Sequence, residues 1–175
     1  WRRSRHVPQP VGERGDHESA RWYATRALDL CAESGYDRGQ GLNLDNLGVA
    51  LYGAADYEGA IACHLQAHEI NSRIGDVNGE ASNQHHLGLA YLALRRYRKS
   101  VRALGEAIRM YRILNNRRFE ALVWVDVGRA LFSAGHRDLA GTVWGGAVAT
   151  LKEFDDPQAR EVGDAIAAMQ ADPCG

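Results

Sequence analysis

The sequence predicts an all-α protein, a solenoid of stacked helical hairpins. Three observations predict it: a near-repetition at a shift of 40 residues, paired amphipathic stretches within each unit, and small residues at matching places. The repeated text is LDNLGVALYGAADYEGAIACHLQAHEINSRIGD at 44–76, QHHLGLAYLALRRYRKSVRALGEAIRMYRILNN at 84–116 and WVDVGRALFSAGHRDLAGTVWGGAVATLKEFDD at 124–156.

Stacked at that shift, Leu47, Leu87 and Val127 align, each followed by a glycine, Gly48, Gly88 and Gly128. Ala50, Ala90 and Ala130 form a second column, with Leu51, Tyr91 and Leu131 after them. Ala60, Ser100 and Ala140 are small, as are Ala67, Ala107 and Ala147, and between these columns stand His64, Leu104 and Trp144. Small residues at fixed places let neighbouring helices approach closely. A glycine inside a helix costs about 1 kcal/mol against alanine, so three in one column point to a crossing that a side chain would block.

The periodicity places helices near 38–53, 57–74, 77–94, 97–114, 117–134 and 137–154. Upstream, GDHESARWYATRALDLCAESGYD matches a second helix, near 16–34, without its hairpin partner, and Pro8 and Pro10 oppose a helix before it. Downstream, Asp156 and Pro157 open a last helix near 157–170. The expected organisation is therefore an arm without regular structure at 1–15, a half repeat at 16–36, full repeats at 37–76, 77–116 and 117–156, and a capping helix and tail at 157–175. That makes about eight helices. Starting at Trp1 rather than Met, the sequence is expected to be a portion of something longer.

Composition narrows the function classes. Charged residues are 25% and apolar residues 45% of 175, ordinary for a water-soluble domain with its own core. A net charge of -1 gives no field to recruit nucleic acid or an anionic membrane, and no apolar run reaches spanning length. Cys31, Cys63 and Cys174 are odd in number and show no CxxC spacing, so reduced thiols and a cytoplasmic location are expected.

The column order of Leu-Gly, Tyr, Ala, an aromatic and Ala resembles the tetratricopeptide repeat, a helix–turn–helix unit. The resemblance covers 16–156 and is to the longer form, with a period of 40, similar to kinesin light chains, Pins-like scaffolds and actinobacterial transcriptional regulators. It implies a right-handed solenoid whose first helices line a concave groove. It further implies a protein-interaction module, the repeat part of a larger bacterial regulatory protein. A peptide or small-ligand sensor and a scaffold or oligomerisation module are the alternatives. Arg137, where Tyr57 and Tyr97 stand, departs from the pattern, as does the absence of the proline that often ends the second helix.

By alignment the groove carries Leu42, Asp45, Asn46, Val49 and Tyr52, then Ser82, His85, Leu89 and Leu92, then Leu122, Val125, Arg129 and Phe132. Chaperone-tail binders of this family clamp a carboxylate with lysine and asparagine. Here those positions hold Asp45, His85 and Val125, then Val49, Leu89 and Arg129, so that partner is disfavoured. The expected partner is a protein or peptide segment, with no nucleic acid or membrane, and with homo-oligomerisation open through the half repeat.

Chemistry-bearing motifs are weighed against packing. His64 and His68 lie one helical turn apart, as metal ligands can. His64, however, stands in the column of Leu104 and Trp144, and no glutamate follows it, so packing is preferred and no metal or cofactor is assigned. His85 is placed facing the groove, solvated, and His86 nearer a neighbouring helix. Arg95, Arg96, Arg98, Lys99, Arg102, Arg109 and Arg112 read as the solvated face of a second helix. The glycines at 145–146 follow no strand and precede no G-K-[ST], which argues against a phosphate loop. No catalytic constellation is recognisable, and no enzyme is expected.

Overall fold

The computed structural model describes residues 36–171 together with Ser19, Trp22, Thr25 and Arg26. Those four are helical, but apart from them and Tyr36 the expected half repeat, like the whole of the expected arm, lies outside the described residues. Seven helices follow among the described residues: α1 Asp37–Gly53, α2 Tyr57–Ile74, α3 Val77–Ala93, α4 Tyr97–Ile113, α5 Arg117–Ser133, α6 Arg137–Glu153 and α7 Gln158–Ala171. The expected starts and ends agree with these within one residue.

Helices α1 to α6 each end for a local reason. A left-handed residue recurs every 20 positions: Ala55 (φ 61°), Gly75 (70°), Arg95 (56°), Asn115 (53°), Gly135 (89°) and Asp155 (53°). That conformation reverses the chain direction and starts the next helix. Asp56, Asp76 and Asn116 then accept the backbone N–H three residues on, from Gly59 (3.0 Å), Gly79 (3.0 Å) and Phe119 (3.3 Å). Such caps are worth about 0.5–2 kcal/mol each. Asp156 caps α7 with a shorter reach, accepting from Gln158 N two residues on at 3.0 Å.

Consecutive helices pack as hairpins, α1 on α2, α3 on α4 and α5 on α6, and the hairpins stack in chain order. The glycine column is where each hairpin closes. A Cβ on Gly48 would stand 2.5 Å from the His64 ring, and one on Gly88 2.5 Å from Leu104. On Gly128 it would run into the Trp144 indole. The partners are the residues of the His64, Leu104, Trp144 column, so a large side chain on the second helix fills the space left by a missing one on the first. Leu104 and Ala107 are fully buried, Leu87 nearly so, and Tyr91 packs at the edge of the same core. In the last hairpin Trp144 also donates its indole N–H to the Val125 carbonyl at 2.8 Å.

The core is a chain of clusters along the stack. Ile61, Leu87, Ala90 and Ala103 form one; Leu104, Ile108, Tyr111, Val123 and Val127 belong to the next. The third, around Val125, Trp144, Val148 and Leu151, is closed by Ala159 and Val162 of α7. That is the capping role a solenoid end requires.

Candidate functional site

Two kinds of helix line the stack differently. The first helices touch one another, α1 with α3 and α3 with α5, and no comparably extensive contact joins α2 to α4 or α4 to α6. The side on which neighbours crowd together is the inner side of a curved stack. The first helices therefore present one continuous strip.

Along that strip Leu42, Asn46, Val49, Tyr52 and Phe132 are exposed. Ser82, Leu89 and Leu92 are partly buried. One expectation needs correction. Val125 is 0% exposed, inside the third core cluster, because the α5 face that carries it is turned onto α6 and its Trp144. Arg129 is not a free cation: it pairs with Asp126 at 2.8 Å and with Glu161 of α7 at 3.2 Å.

Asp45 is the centre of a polar cluster. Its Oδ1 accepts from Nδ1 of His64 (2.8 Å), Nδ2 of Asn83 (2.8 Å) and Nδ1 of His86 (3.0 Å), while Oδ2 accepts from Ser82 Oγ at 3.3 Å. Asn83 in turn accepts from Asn71 Nδ2 at 2.8 Å. Burial by itself would raise the Asp45 carboxyl, but hydrogen bonds and charge from His64 and His86 outweigh it and hold the group well below the usual carboxylate range. The cluster ties α1, α2 and α3 together, and His64 within it is 1% exposed. His64 is thus a packing residue, as its column implies, and a polar one as well.

One repeat further on, His85 meets Asp126 at 2.7 Å. The expected solvated histidine is instead paired across α3 and α5, with Arg129 on the other carboxylate oxygen. His86 does turn to a neighbouring helix, as expected, and the group it finds there is Asp45. The residues that sequence reasoning missed are Asp126, Asn83 and Asn71. The signal for Asp126 was present: Asp45 and His86, and His85 and Asp126, stand at the same spacing of 41.

Elsewhere the polar motifs are accounted for by packing and solvent. His68 does not join His64 in a ligand pair; its Nε2 lies 3.3 Å from Gln84 Nε2. All seven basic residues from Arg95 to Arg112 are exposed, and Arg96, Arg109 and Arg112 pair with Glu58, Glu106 and Glu120. Gly145 and Gly146 lie in the middle of α6, where no phosphate loop can form. Among the described residues no helix is long and apolar enough to cross a membrane.

The tetratricopeptide repeat family profile matches residues 40–113, the first two hairpins. No curated protein sequence matches the chain significantly. Among solved structures, BtubC (BKLC) from P. vanneervenii superposes with a TM-score of 0.72 at 17% identity, covering 81% of this chain and 59% of that one. The present chain therefore spans less than two thirds of BtubC. A putative kinesin light chain from Podospora anserina with nearly identical TPR-like repeats superposes with a TM-score of 0.61 at 15% identity, covering 95% of this chain and 98% of that one. A point-substituted form of that same protein gives 0.62 at 16% identity, with 96% and 99% covered. At such identities the likeness establishes the fold, and together with the repeat match it leads to one assignment: the chain carries a tetratricopeptide-repeat domain.

Proposed function

We propose that this domain is a protein-interaction module whose partner segment lies along the inner strip of α1, α3 and α5. Tetratricopeptide repeats in general mediate protein–protein interaction and are typically not enzymes. The observation that carries the reading is the strip's composition: Leu42, Val49, Tyr52 and Phe132 are 62%, 46%, 36% and 37% exposed on helices whose opposite sides are packed. Asp45 is satisfied by His64, His86 and Asn83, and Asp126, His85 and Arg129 satisfy one another. The strip therefore offers apolar contact area, with Asn46 as an exposed backbone reader able to donate and accept. Aromatic side chains in such positions commonly dominate binding energy. An extended or helical segment with apolar side chains fits this surface better than an acidic one, since Arg129 is already compensated. The resemblance to actinobacterial regulators supports a place within a larger regulatory protein, inside the cell.

A photo-crosslinking residue placed at Val49 or Tyr52 tests the reading, with one at Arg102 on the outer face as the comparison. Adducts with one partner from the inner positions alone, lost in Asn46→Ala, are expected. Adducts from Arg102 with silent inner positions would transfer the working surface to the outer helices.

A further inference from the structure

We propose that Asp45, His64 and His86 form a binding site for one divalent transition-metal ion of the zinc class, with one ligand supplied by each of α1, α2 and α3. The three ligand atoms lie within 4.8 Å of one another. Both imidazoles aim Nδ1 at the same oxygen, Asp45 Oδ1, at 2.8 and 3.0 Å, and Asn83 adds a third donor there at 2.8 Å. A carboxylate oxygen has about two lone-pair sites, so three donors oversubscribe it. Oδ2 meanwhile holds only the 3.3 Å bond from Ser82. A cation in place of the two imidazole protons resolves this: each Nδ1 and the carboxylate then offers a lone pair to the ion. Zinc bonds of about 2.0–2.2 Å place tetrahedral ligand atoms about 3.3–3.6 Å apart, so each Nδ1, now 2.8 and 3.0 Å from Oδ1, would move outward by about 0.3–0.8 Å. Two imidazoles and one carboxylate suit zinc and its neighbours in the first transition row rather than calcium or magnesium.

Three further features belong to a built site. The His64 ring is seated against Gly48, where any side chain would collide with it. Asn83 and Ser82 hold the carboxylate, and Asn71 holds Asn83, which is the outer support that orients a metal ligand. Exposure grades from 1% at His64 through 15% at Asp45 to 28% at His86, and Asp45 also lines a cleft of about 320 Å³ with Leu42 and Ser82. The cleft reaches Asp45 but neither histidine, so the ion would enter past His86, the most exposed of the three. The site is particular to the first junction. In the next repeat the place of His64 is taken by Leu104, and Arg129 stands beside the His85–Asp126 pair.

The test is a Co²⁺ titration of the full chain, read by visible absorption and followed by Zn²⁺ displacement, with thermal melting in each metal and in chelator. Saturation at one ion per chain, and a melting temperature raised by Zn²⁺ and lowered by chelator, are expected. His86→Asn keeps an N–H donor near the position of Nδ1 but removes the ligand. It should melt like the parent in chelator and lose the metal-dependent rise. Ser82→Ala should weaken Zn²⁺ about tenfold or more through the carboxylate it supports. His85→Asn should bind as the parent does. Unsaturable Co²⁺ absorption, or His86→Asn binding with parental affinity, would overturn the proposal and leave the cluster a hydrogen-bonded clasp.

Discussion

The junction of α1 with α3 and the junction of α3 with α5 use the same two positions with the chemistry reversed. In the first, an aspartate on the earlier helix meets a histidine on the later one, Asp45 with His86; in the second, His85 meets Asp126. What differs is the company. Asp45 also receives the buried His64 and Asn83 from behind, whereas Asp126 receives Arg129, which is 41% exposed. The pair itself is no more buried in the first junction, 15% and 28% exposed against 8% and 16% in the second, but it is backed by buried side chains in one place and by a half-exposed arginine in the other. The comparison shows that the energetic weight of an ion pair is set by what its removal strands. A donor left unpaired in the interior loses its partner without regaining water, and one at the surface regains it.

The largest effect should come from Asp45→Ala. It strands His64, Asn83 and His86 together and should cost about 3–5 kcal/mol in denaturant unfolding. Asp126→Ala strands His85 alone, with Arg129 still paired with Glu161, and about 1–2 kcal/mol is expected. Equal losses would mean that the buried partners His64 and Asn83 do not separate the two junctions.

Tyr111, in α4 and 3% exposed, reports on the first junction from behind. Burial, with a smaller repulsion from Asp45, pushes its phenol up to about 12. The folded state therefore holds this proton more tightly than the unfolded chain. The stability it contributes is whole below about pH 10 and lost between about pH 10 and 12. At 1.36 kcal/mol per unit the loss is about 2–3 kcal/mol at most, and smaller to the extent that water screens the hydroxyl end. Absorbance titration at alkaline pH should show the late phenol, moved to slightly lower pH in Asp45→Asn. A Tyr111 phenol that ionises near pH 10 in the folded protein would contradict its burial.

Within the hairpins the glycine column allows a similar test. Gly128→Ala meets the indole of Trp144, a rigid ring held by its bond to Val125, while Gly88→Ala meets the flexible end of Leu104. Overpacking should cost about 2–3 kcal/mol at Gly128 and nearer 1 kcal/mol at Gly88, measured by thermal melting. The reverse order would show that the indole moves more readily than its hydrogen bond implies.

The smallest effect, of opposite sign, is expected at the turns. Ala55 and Arg95 adopt the left-handed conformation that Gly135 takes without strain at the equivalent turn. Ala55→Gly should therefore stabilise by about 0.5–1 kcal/mol, the relief of the strained φ exceeding the added freedom of the unfolded chain. A loss of stability would mean that the Cβ of Ala55 contributes more than its backbone costs.

The helices, their hairpin pairing and the buried columns were legible in the sequence because they rest on short-range regularities. Apolar spacing along one helix, a cap at Asp56 or Asp76 and a reversal every 20 residues are all local, and three copies of one pattern confirm one another. Even the close crossing at Gly48, Gly88 and Gly128 could be read, since only a missing side chain explains glycine there. The site was legible only as a strip. Asn46, Val49, Tyr52 and Phe132 are open on the inner face, but Val125 could not be placed correctly and the partners of Arg129 could not be read, because the rotation of α5 against α6 and the position of Glu161 on α7 decide their surroundings. The convergence of His64 and His86 on Asp45 joins residues 19 and 41 positions apart. Alignment suggests which columns face which, whereas the meeting of three side chains at one oxygen depends on the angle and rise between hairpins. Those are set by packing across the whole stack, a sum of many small contacts that no local pattern records.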